Sequence, residues 1–206
     1  MTDFIQAIDW GTFPDWVVAF AAAAAAWQGW RSLSNWRKEA GGRRRLELAE
    51  EVLVKVYEVA DALAEVRNPF GHLDENMDRE GRANEEKRLQ EYRDMYYPIF
   101  SRLGRHRGTV VSLRALRFRS RAIFGDGFQD ALDQITVLYD EVAKAVAELY
   151  YDLPWDGEQT EERFQRHVQL REIIWSSSDD KFSSELNDRV TAIEKTLRPI
   201  IRRFVG

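Results

Sequence analysis

The sequence predicts an all-α fold, in which an N-terminal apolar anchor helix is followed by a helical bundle of about five or six helices. Three observations support this expectation. Apolar residues recur at intervals of three and four along most of the chain, the 206 residues include only 12 Gly and 5 Pro, and no two neighbouring segments alternate apolar and polar residues as paired strands would. We expect an anchor domain over residues 1–42 and a bundle domain over residues 43–206.

The most distinctive segment is an alanine-rich apolar run with tryptophans on both sides. Tryptophan favours the membrane–water boundary, so this pattern is typical of a membrane anchor. The residues assigned to this transmembrane helix are Trp10, Trp16, Val17, Val18, Phe20, Trp27 and Trp30. The uninterrupted run covers only residues 16–27, whereas a span needs about 20 residues. A helix buried against another protein is therefore the alternative interpretation.

Small residues recur every four positions along the same segment, at Ala21, Ala25 and Gly29. Such spacing lets helix backbones approach each other closely inside lipid. We therefore expect anchor helices of different copies to pack together, which makes a homo-oligomer the expected state.

Charges flank the apolar run unevenly. Before it the only charged residues are Asp3, Asp9 and Asp15, and after it comes a basic collar formed by Arg31, Arg37, Lys38, Arg43, Arg44 and Arg45. A secretory signal peptide would carry its cations before the run. Cations collect on the cytoplasmic side, so the pattern predicts a single pass through the inner membrane, with the N-terminus outside and the bundle in the cytoplasm.

The bundle should begin after Gly41–Gly42, because each glycine costs about 1 kcal/mol relative to alanine in a helix interior. An amphipathic helix is predicted over residues 43–67, and Asn68–Pro69 should end it. The polar residues 71–81 predict a loop.

Two helices are predicted in the next part of the chain. Residues 89–103 trace one apolar face, which Pro98 should kink. Gly104 and Gly108 should separate this helix from a further one over residues 109–125.

The remaining helices have the clearest apolar faces. One begins after Gly127 and has the face Phe128, Leu132, Ile135, Tyr139, Val142, Val146 and Leu149. The next has the face Phe164, Val168 and Trp175. The last, which Ser178 or Asp179 should cap and Pro199 should kink, has the face Phe182, Leu186, Val190, Ile193, Leu197, Ile200 and Phe204.

An arginine-rich stretch is the strongest candidate binding site, because seven arginines and no acidic residue lie between Met95 and Gly125. Helical spacing places several of them on one face, and this anion-binding candidate comprises Arg107, Arg114, Arg117, Arg121 and Phe118. Guanidinium groups match phosphate oxygens, so a nucleotide, a nucleic acid or a lipid headgroup is one interpretation. The other is pairing, inside one molecule or across an oligomer, with the acidic helix that follows. Its acidic residues are Asp126, Asp130, Asp133, Asp140, Glu141 and Glu148.

The sequence lacks the residues of common catalytic machinery. It has no Cys, no glycine-rich phosphate loop and no Gly-x-Ser-x-Gly motif, and its three histidines are isolated. Residues 74–85 approach the acidic spacing of a calcium loop, but Arg79 stands where the loop needs glycine. We therefore expect no catalytic residue, no metal site and no cofactor.

Four short motifs follow the apolar segment and the basic collar: Leu46-Glu-Leu-Ala-Glu-Glu-Val-Leu53, Asn68-Pro-Phe70, Tyr97-Pro-Ile-Phe100 and Phe124-Gly125. The combination resembles a group of uncharacterised bacterial proteins that have an N-terminal membrane anchor and a helical cytoplasmic body. This resemblance implies the architecture and assigns no functional residue, because the group has no agreed activity. Proteins of this build occur in bacterial antiviral defence, and the analogy makes a defence or signalling role an expectation.

Together these features predict a membrane-anchored helical interaction protein that acts through oligomerisation and an arginine-rich face. One alternative is a soluble helical module that docks on a partner protein through the alanine-rich helix. Another is an effector that responds to a nucleotide or a nucleic acid. The expected partners are further copies of the chain, membrane lipid and a protein, and the net charge of −5 makes nucleic acid the least favoured.

Overall fold

The structure is a computed structural model that describes residues 12–70, 75, 79–152, 160–177 and 180–205. Its five α-helices within these residues are α1 (Thr12–Val66), α2 (Lys87–Phe124), α3 (Asp126–Ala147), α4 (Glu161–Ile174) and α5 (Lys181–Val205). A short 3-10 helix over Arg82–Asn84 precedes α2, and a π-helical turn over Glu148–Asp152 follows α3. These ranges contain no strand, so the predicted all-α helical bundle is confirmed.

The chain divides into two compact units, residues 1–45 and residues 46–206. In the first unit, every side chain from Val17 to Leu33 is exposed to solvent. Helical structure also continues through Gly41–Gly42, where the sequence predicted an interruption. A glycine pair lowers the stability of a helix without forbidding it, because glycine adopts helical dihedral angles freely.

The second unit is built around one apolar core. Seven apolar residues of helix α1 are buried in this core, and after the first pair they follow one another at intervals of three or four positions. They are Leu48, Ala49, Val52, Val56, Val59, Leu63 and Val66. Helix α3 buries all the residues of its predicted face, together with Leu149 of the π-helical turn. The regular spacing of these stripes is the reason that the sequence predicted both helices and their buried sides.

Helix α2 is continuous, although the sequence predicted a kink and two separate helices. Pro98, Gly104 and Gly108 all lie inside it. A proline costs about 3 kcal/mol and each glycine about 1 kcal/mol in a helix interior. Burial of a large apolar side chain contributes about 1.5–3 kcal/mol, and α2 buries five of them across these sites: Tyr96, Ile99, Leu103, Val110 and Leu113. Packing of both halves of α2 on one core therefore outweighs the helix breakers.

The prediction of the buried face of α4 is wrong in part. Phe164 is exposed, and the fully buried residues of α4 are Leu170 and Ile174. Helix α4 has few apolar residues, so no single stripe dominates its sequence, and the observed face is rotated from the predicted one.

The α5 helix buries four residues of its predicted face, Phe182, Leu186, Ile193 and Leu197, and it runs through Pro199 without ending. The predicted caps Ser178 and Asp179 lie outside the described residues. Asp180 caps the helix, because its carboxylate accepts a hydrogen bond from the backbone N–H of Ser183 at 2.6 Å.

Arg67, directly after α1, joins three helices although it is only 2% exposed. Its guanidinium donates hydrogen bonds at 2.7–3.1 Å to three backbone carbonyls at the end of α4, those of Glu172, Ile173 and Trp175. The last carbonyls of a helix have no partner within the helix, and a cation stabilises them. Arg67 therefore caps the C-terminus of α4.

The same guanidinium reaches the start of α5. Its Nη1 donates to the Asp180 carboxylate at 3.2 Å and to the Ser183 hydroxyl at 3.1 Å, and the group lies 4.0 Å from the centre of the Phe182 ring. Burial of Asp180 raises the pKa of its carboxyl, but hydrogen bonds from Ser183, Ser177 and Arg67 outweigh this and hold the pKa below its usual value. The ion pair is therefore charged at neutral pH.

Substitution of Arg67 should strongly destabilise the bundle. Arg67→Met removes the donor to three carbonyls at the end of α4 and the cation paired with the Asp180 carboxylate. Removal of one partner from a buried ion pair costs about 3–5 kcal/mol. We expect the free energy of unfolding to fall by about 3 kcal/mol, measured by urea denaturation of the full chain in detergent micelles. Arg202→Met, at an exposed site on α5, is the matched control and should change it by less than about 0.5 kcal/mol. Equal stability of the two variants would contradict this role of Arg67.

Candidate functional site

The first candidate site is the apolar segment of α1, residues 17–33. Large side chains here are unusually exposed: the exposed fractions are 65% for Val18, 72% for Phe20 and 67% for Trp30. Residues 17–27 include no polar side chain other than the indole of Trp27, and consecutive helical residues point about 100° apart. Residues 17–27 are therefore apolar on all sides of the helix.

No helix in the described part of the chain is long and apolar enough to cross a membrane. The membrane-spanning anchor that the sequence predicted is thus not found there. Its apolar run from Val17 to Trp27 has about 11 residues and is roughly 16 Å long, whereas the hydrocarbon core of a bilayer is about 30 Å thick. Gln28 and Arg31 follow within one turn. Trp10 lies outside the described residues, and the side chain of Trp16 is not among those described.

The small residues of the segment face open space. Ala21, Ala25 and Gly29 are exposed, and a Cβ added at Gly29 would meet no atom within 4 Å. The rings of Trp27 and Trp30 lie 5.9 Å apart, measured between centroids, so these two indoles form one aromatic surface at the end of the apolar run.

The basic collar is also at the surface where the structure describes it. Arg31, Arg43, Arg44 and Arg45 are exposed, and the side chains of Arg37 and Lys38 lie outside the described set. The cations thus follow the apolar run within the same helix.

The second candidate site, the arginine face of α2, is largely paired with α3. Arg114 lies 2.5 Å from Asp140, Arg121 lies 2.5 Å from Asp126, and Arg117 lies 3.6 Å from Asp133. These are the intramolecular pairs that the sequence offered as the alternative to anion binding. Each side chain is at least a third exposed, so each pair contributes no more than about 1 kcal/mol.

The other two members of the arginine face differ from the paired three. Arg107 is exposed on the same helix. Phe118 is 61% exposed, and the Arg117 guanidinium lies 4.6 Å from the centre of its ring. An aromatic ring and a cation thus share the surface of α2, as the sequence predicted from their spacing.

An ion-pair cluster that the sequence did not predict lies around the start of α2. Arg79 is 4% exposed and donates to both carboxylate oxygens of Glu85, at 2.5 and 2.8 Å, and to Asp94 at 3.0 Å. Hydrogen bonds from Arg79 lower the pKa of Glu85 to about 2. Glu85 is the residue that a calcium loop would place on the metal, and here an arginine binds it. The described residues include no cluster of acidic or histidine side chains that could hold a metal ion.

A second missed contact lies between α2 and α4. The Tyr96 hydroxyl and His167 Nε2 are 3.0 Å apart, and the Tyr96 ring stacks on Trp175 with centroids 5.9 Å apart. Burial raises the pKa of Tyr96 and lowers the pKa of His167, so both side chains are neutral at physiological pH. The pair satisfies two polar groups in an aromatic cluster, which is a structural role.

Comparison of this chain with protein-family models, with curated proteins and with solved structures finds no match.

The Arg79–Glu85 pair should make the free energy of unfolding depend on pH in the acidic range. The folded pKa of Glu85, about 2, lies below its ordinary value of 4.5, so the pair stabilises the fold fully above pH 4.5 and loses this effect as the pH falls towards 2. Glu85→Gln should be less stable at neutral pH and should lose less stability on acidification. The measurement is urea denaturation of the full chain at a series of pH values. Glu50→Gln, at an exposed site on α1, should retain the wild-type pH dependence, and the same dependence in Glu85→Gln would refute the assignment.

Proposed function

We propose that this protein attaches a helical interaction module to a lipid bilayer through the apolar segment of α1. One observation carries the proposal: residues 17–33 are exposed around the whole circumference of the helix. Burial of apolar surface contributes roughly 25 cal/mol per Å², so an uncovered helix of this kind is unfavourable in water. The segment therefore needs an apolar environment.

Lipid fits this surface better than a single protein partner does. A helix packed against one protein helix buries one stripe of side chains, and its opposite side stays polar. The apolar segment has no polar side between Val17 and Phe20 or along the alanines that follow. Acyl chains surround a helix on all sides, and Trp27 and Trp30 suit the headgroup boundary. Docking on a protein partner is the second outcome of the test below.

The basic collar supports the same proposal. A cation close to an anionic membrane surface contributes about 1 kcal/mol, and Arg31, Arg43, Arg44 and Arg45 are exposed after the apolar run. The collar is also the basis of the predicted orientation, with the N-terminus outside and the bundle in the cytoplasm. That single-pass orientation stays a prediction.

The proposal includes self-association, in which the apolar segments of different copies pack against each other. The apolar run is shorter than the hydrocarbon core, so insertion of one copy is marginal. Close packing of two segments through Ala21, Ala25 and Gly29 would add contacts inside lipid and stabilise the inserted state. The protein would then be a homo-oligomer at the membrane, as the sequence predicted.

The bundle acts in this proposal by binding other proteins. The net charge of the chain is −5, which opposes association with a polyanion. A nucleic-acid ligand is therefore less favoured. The role in defence or signalling that the resemblance implied stays a prediction.

Lipid attachment predicts that one charge in the apolar segment abolishes membrane binding. An aspartate at the centre of an inserted helix costs about 3 kcal/mol, so Ala22→Asp, in the middle of the run from Val17 to Trp27, should lower partitioning by about a hundredfold. The assay is flotation of the full chain with vesicles of phosphatidylcholine and phosphatidylglycerol.

Val54→Asp is the matched control, because Val54 is 53% exposed on the bundle part of α1. It should float like the wild type. Failure of the wild type to float, or equal flotation of both variants, would refute lipid attachment and favour docking on a protein.

Self-association predicts a second pair of variants. Ala25→Leu places a bulky side chain on the small-residue face, and Ala23→Leu places the same side chain about 200° around the helix. A bulky side chain there prevents the close approach of the two backbones, so Ala25→Leu should weaken self-association in micelles by about tenfold, or about 1.4 kcal/mol. Ala23→Leu should leave it unchanged. Sedimentation equilibrium measures both, and an equal effect of the two would contradict this packing face.

A further inference from the structure

Helix α2 has a second apolar stripe, on the side opposite the core. Val111 and Phe118 are its large members, 53% and 61% exposed. Small residues extend the stripe at spacings of four and three, and its six members, all exposed, are Gly104, Gly108, Val111, Ala115, Phe118 and Ala122. This alternation is the seam pattern of a helix that packs along another helix. Within the described residues, the Arg117 guanidinium lies over the Phe118 ring, and the rest of the stripe is open to solvent.

The geometry of the stripe allows a close approach. A Cβ added at Gly104 or Gly108 would meet no atom within 4 Å, so the surface there is open. Val111 and Phe118 are seven residues apart, two turns along the same face, and Ala115 lies between them. A partner helix would therefore contact two large side chains and could lie close to the backbone beside the small ones.

Arginines flank the stripe on both sides. Arg105 and Arg119 lie towards α1, where they pair with Glu65 at 3.6 Å and with Glu51 at 3.1 Å. On the side towards α3, the flanking residues are Arg107, Arg114 and Arg121. These flanks occupy the positions that set charge complementarity in paired helices.

The flanking arginines retain donors for a partner. A guanidinium has five N–H donors. Among the residues that the structure describes, Arg114 donates only through Nη2, Arg121 only through Nε and Arg119 only through Nη1. The Arg119 side chain is 62% exposed. Carboxylates on a partner helix could therefore bind the same groups without breaking the internal pairs.

We propose that the outer stripe of α2 binds an amphipathic helix of a partner protein, with small or apolar residues along its seam and Asp or Glu on both flanks. A second copy docked through its own α2 stripe is a poor fit, because arginines would face arginines across the interface. Charge complementarity instead selects an acidic helix. The surface lies in the bundle, so this inference goes beyond lipid attachment and does not depend on it.

A designed peptide provides the test. The probe is a fluorescent helix of about four heptads with Ala and Leu along the seam and Glu on both flanks, and the control peptide carries Lys in place of every Glu. Fluorescence anisotropy with the full chain in neutral detergent micelles should show binding of the Glu peptide that weakens as salt is added. The Lys peptide should bind at least about tenfold more weakly.

Variants of the chain locate the binding. Ala115→Gln places a polar side chain in the centre of the stripe and preserves helix propensity, and it should weaken binding of the Glu peptide by about tenfold. Phe118→Ala should weaken it as well. Ala192→Gln is the matched control, at an exposed alanine of α5, and should bind like the wild type. Circular dichroism of each variant checks that the fold is intact.

Three outcomes would overturn the proposal. The first is no binding of the Glu peptide by the wild type, and the second is equal binding by Ala115→Gln and Ala192→Gln. The third is loss of self-association on Ala115→Gln, since this would identify a second copy as the occupant. Flotation with vesicles is measured separately, so failure here leaves the result on lipid attachment distinct.

Discussion

The guanidinium of Arg67 is the contact on which the arrangement of the bundle depends. It follows the last turn of α1, caps the C-terminus of α4 and pairs with Asp180 at the start of α5. The backbone carbonyl of Arg67 also accepts a hydrogen bond from the Ser176 N–H at 2.8 Å, so the connection between α4 and α5 is held from both ends of one residue. Apolar packing alone fixes distances between helices. The directional hydrogen bonds of Arg67 also hold the C-termini of α1 and α4 and the N-terminus of α5 together.

The sequence was sufficient to predict helices whose apolar residues repeat without interruption. Helix α3 is the clearest example, because all seven residues of its predicted face are buried with the core. Prediction failed where local and tertiary effects compete. Pro98 and Gly108 are unfavourable in an isolated helix, yet α2 continues through both because the two halves share one core. In α4 the apolar residues are too few to define a face, so packing alone selects Leu170 and Ile174.

The candidate sites also divide into those that the sequence predicted and those that it missed. The apolar segment and the outer arginines of α2 are local patterns, and the sequence showed both. Two buried arginines were missed because their partners are distant in the chain. Arg67 binds residues more than 100 positions away, and Arg102, 4% exposed, binds Glu75 and the carbonyls of Glu65 and Asn68. One signal was available, since Arg67 falls four positions after Leu63 on the buried side of α1. A cation at a core position needs partners from other elements.

One side of α2 packs on the core, and the opposite side carries the outer stripe. Both sides must keep their register along the helix, so the number of residues in α2 is constrained. A single residue inserted near Val110 would rotate everything beyond it by about 100°. Leu113 and Leu116 would leave the interior, and Ala115, Phe118 and Ala122 would no longer lie in line with Gly104 and Gly108 on the outer stripe. Point substitutions at exposed positions of α2 outside the stripe preserve both of its faces, whereas a change of length within this helix does not. Natural variation in this region should accumulate by exchange of side chains at a fixed register.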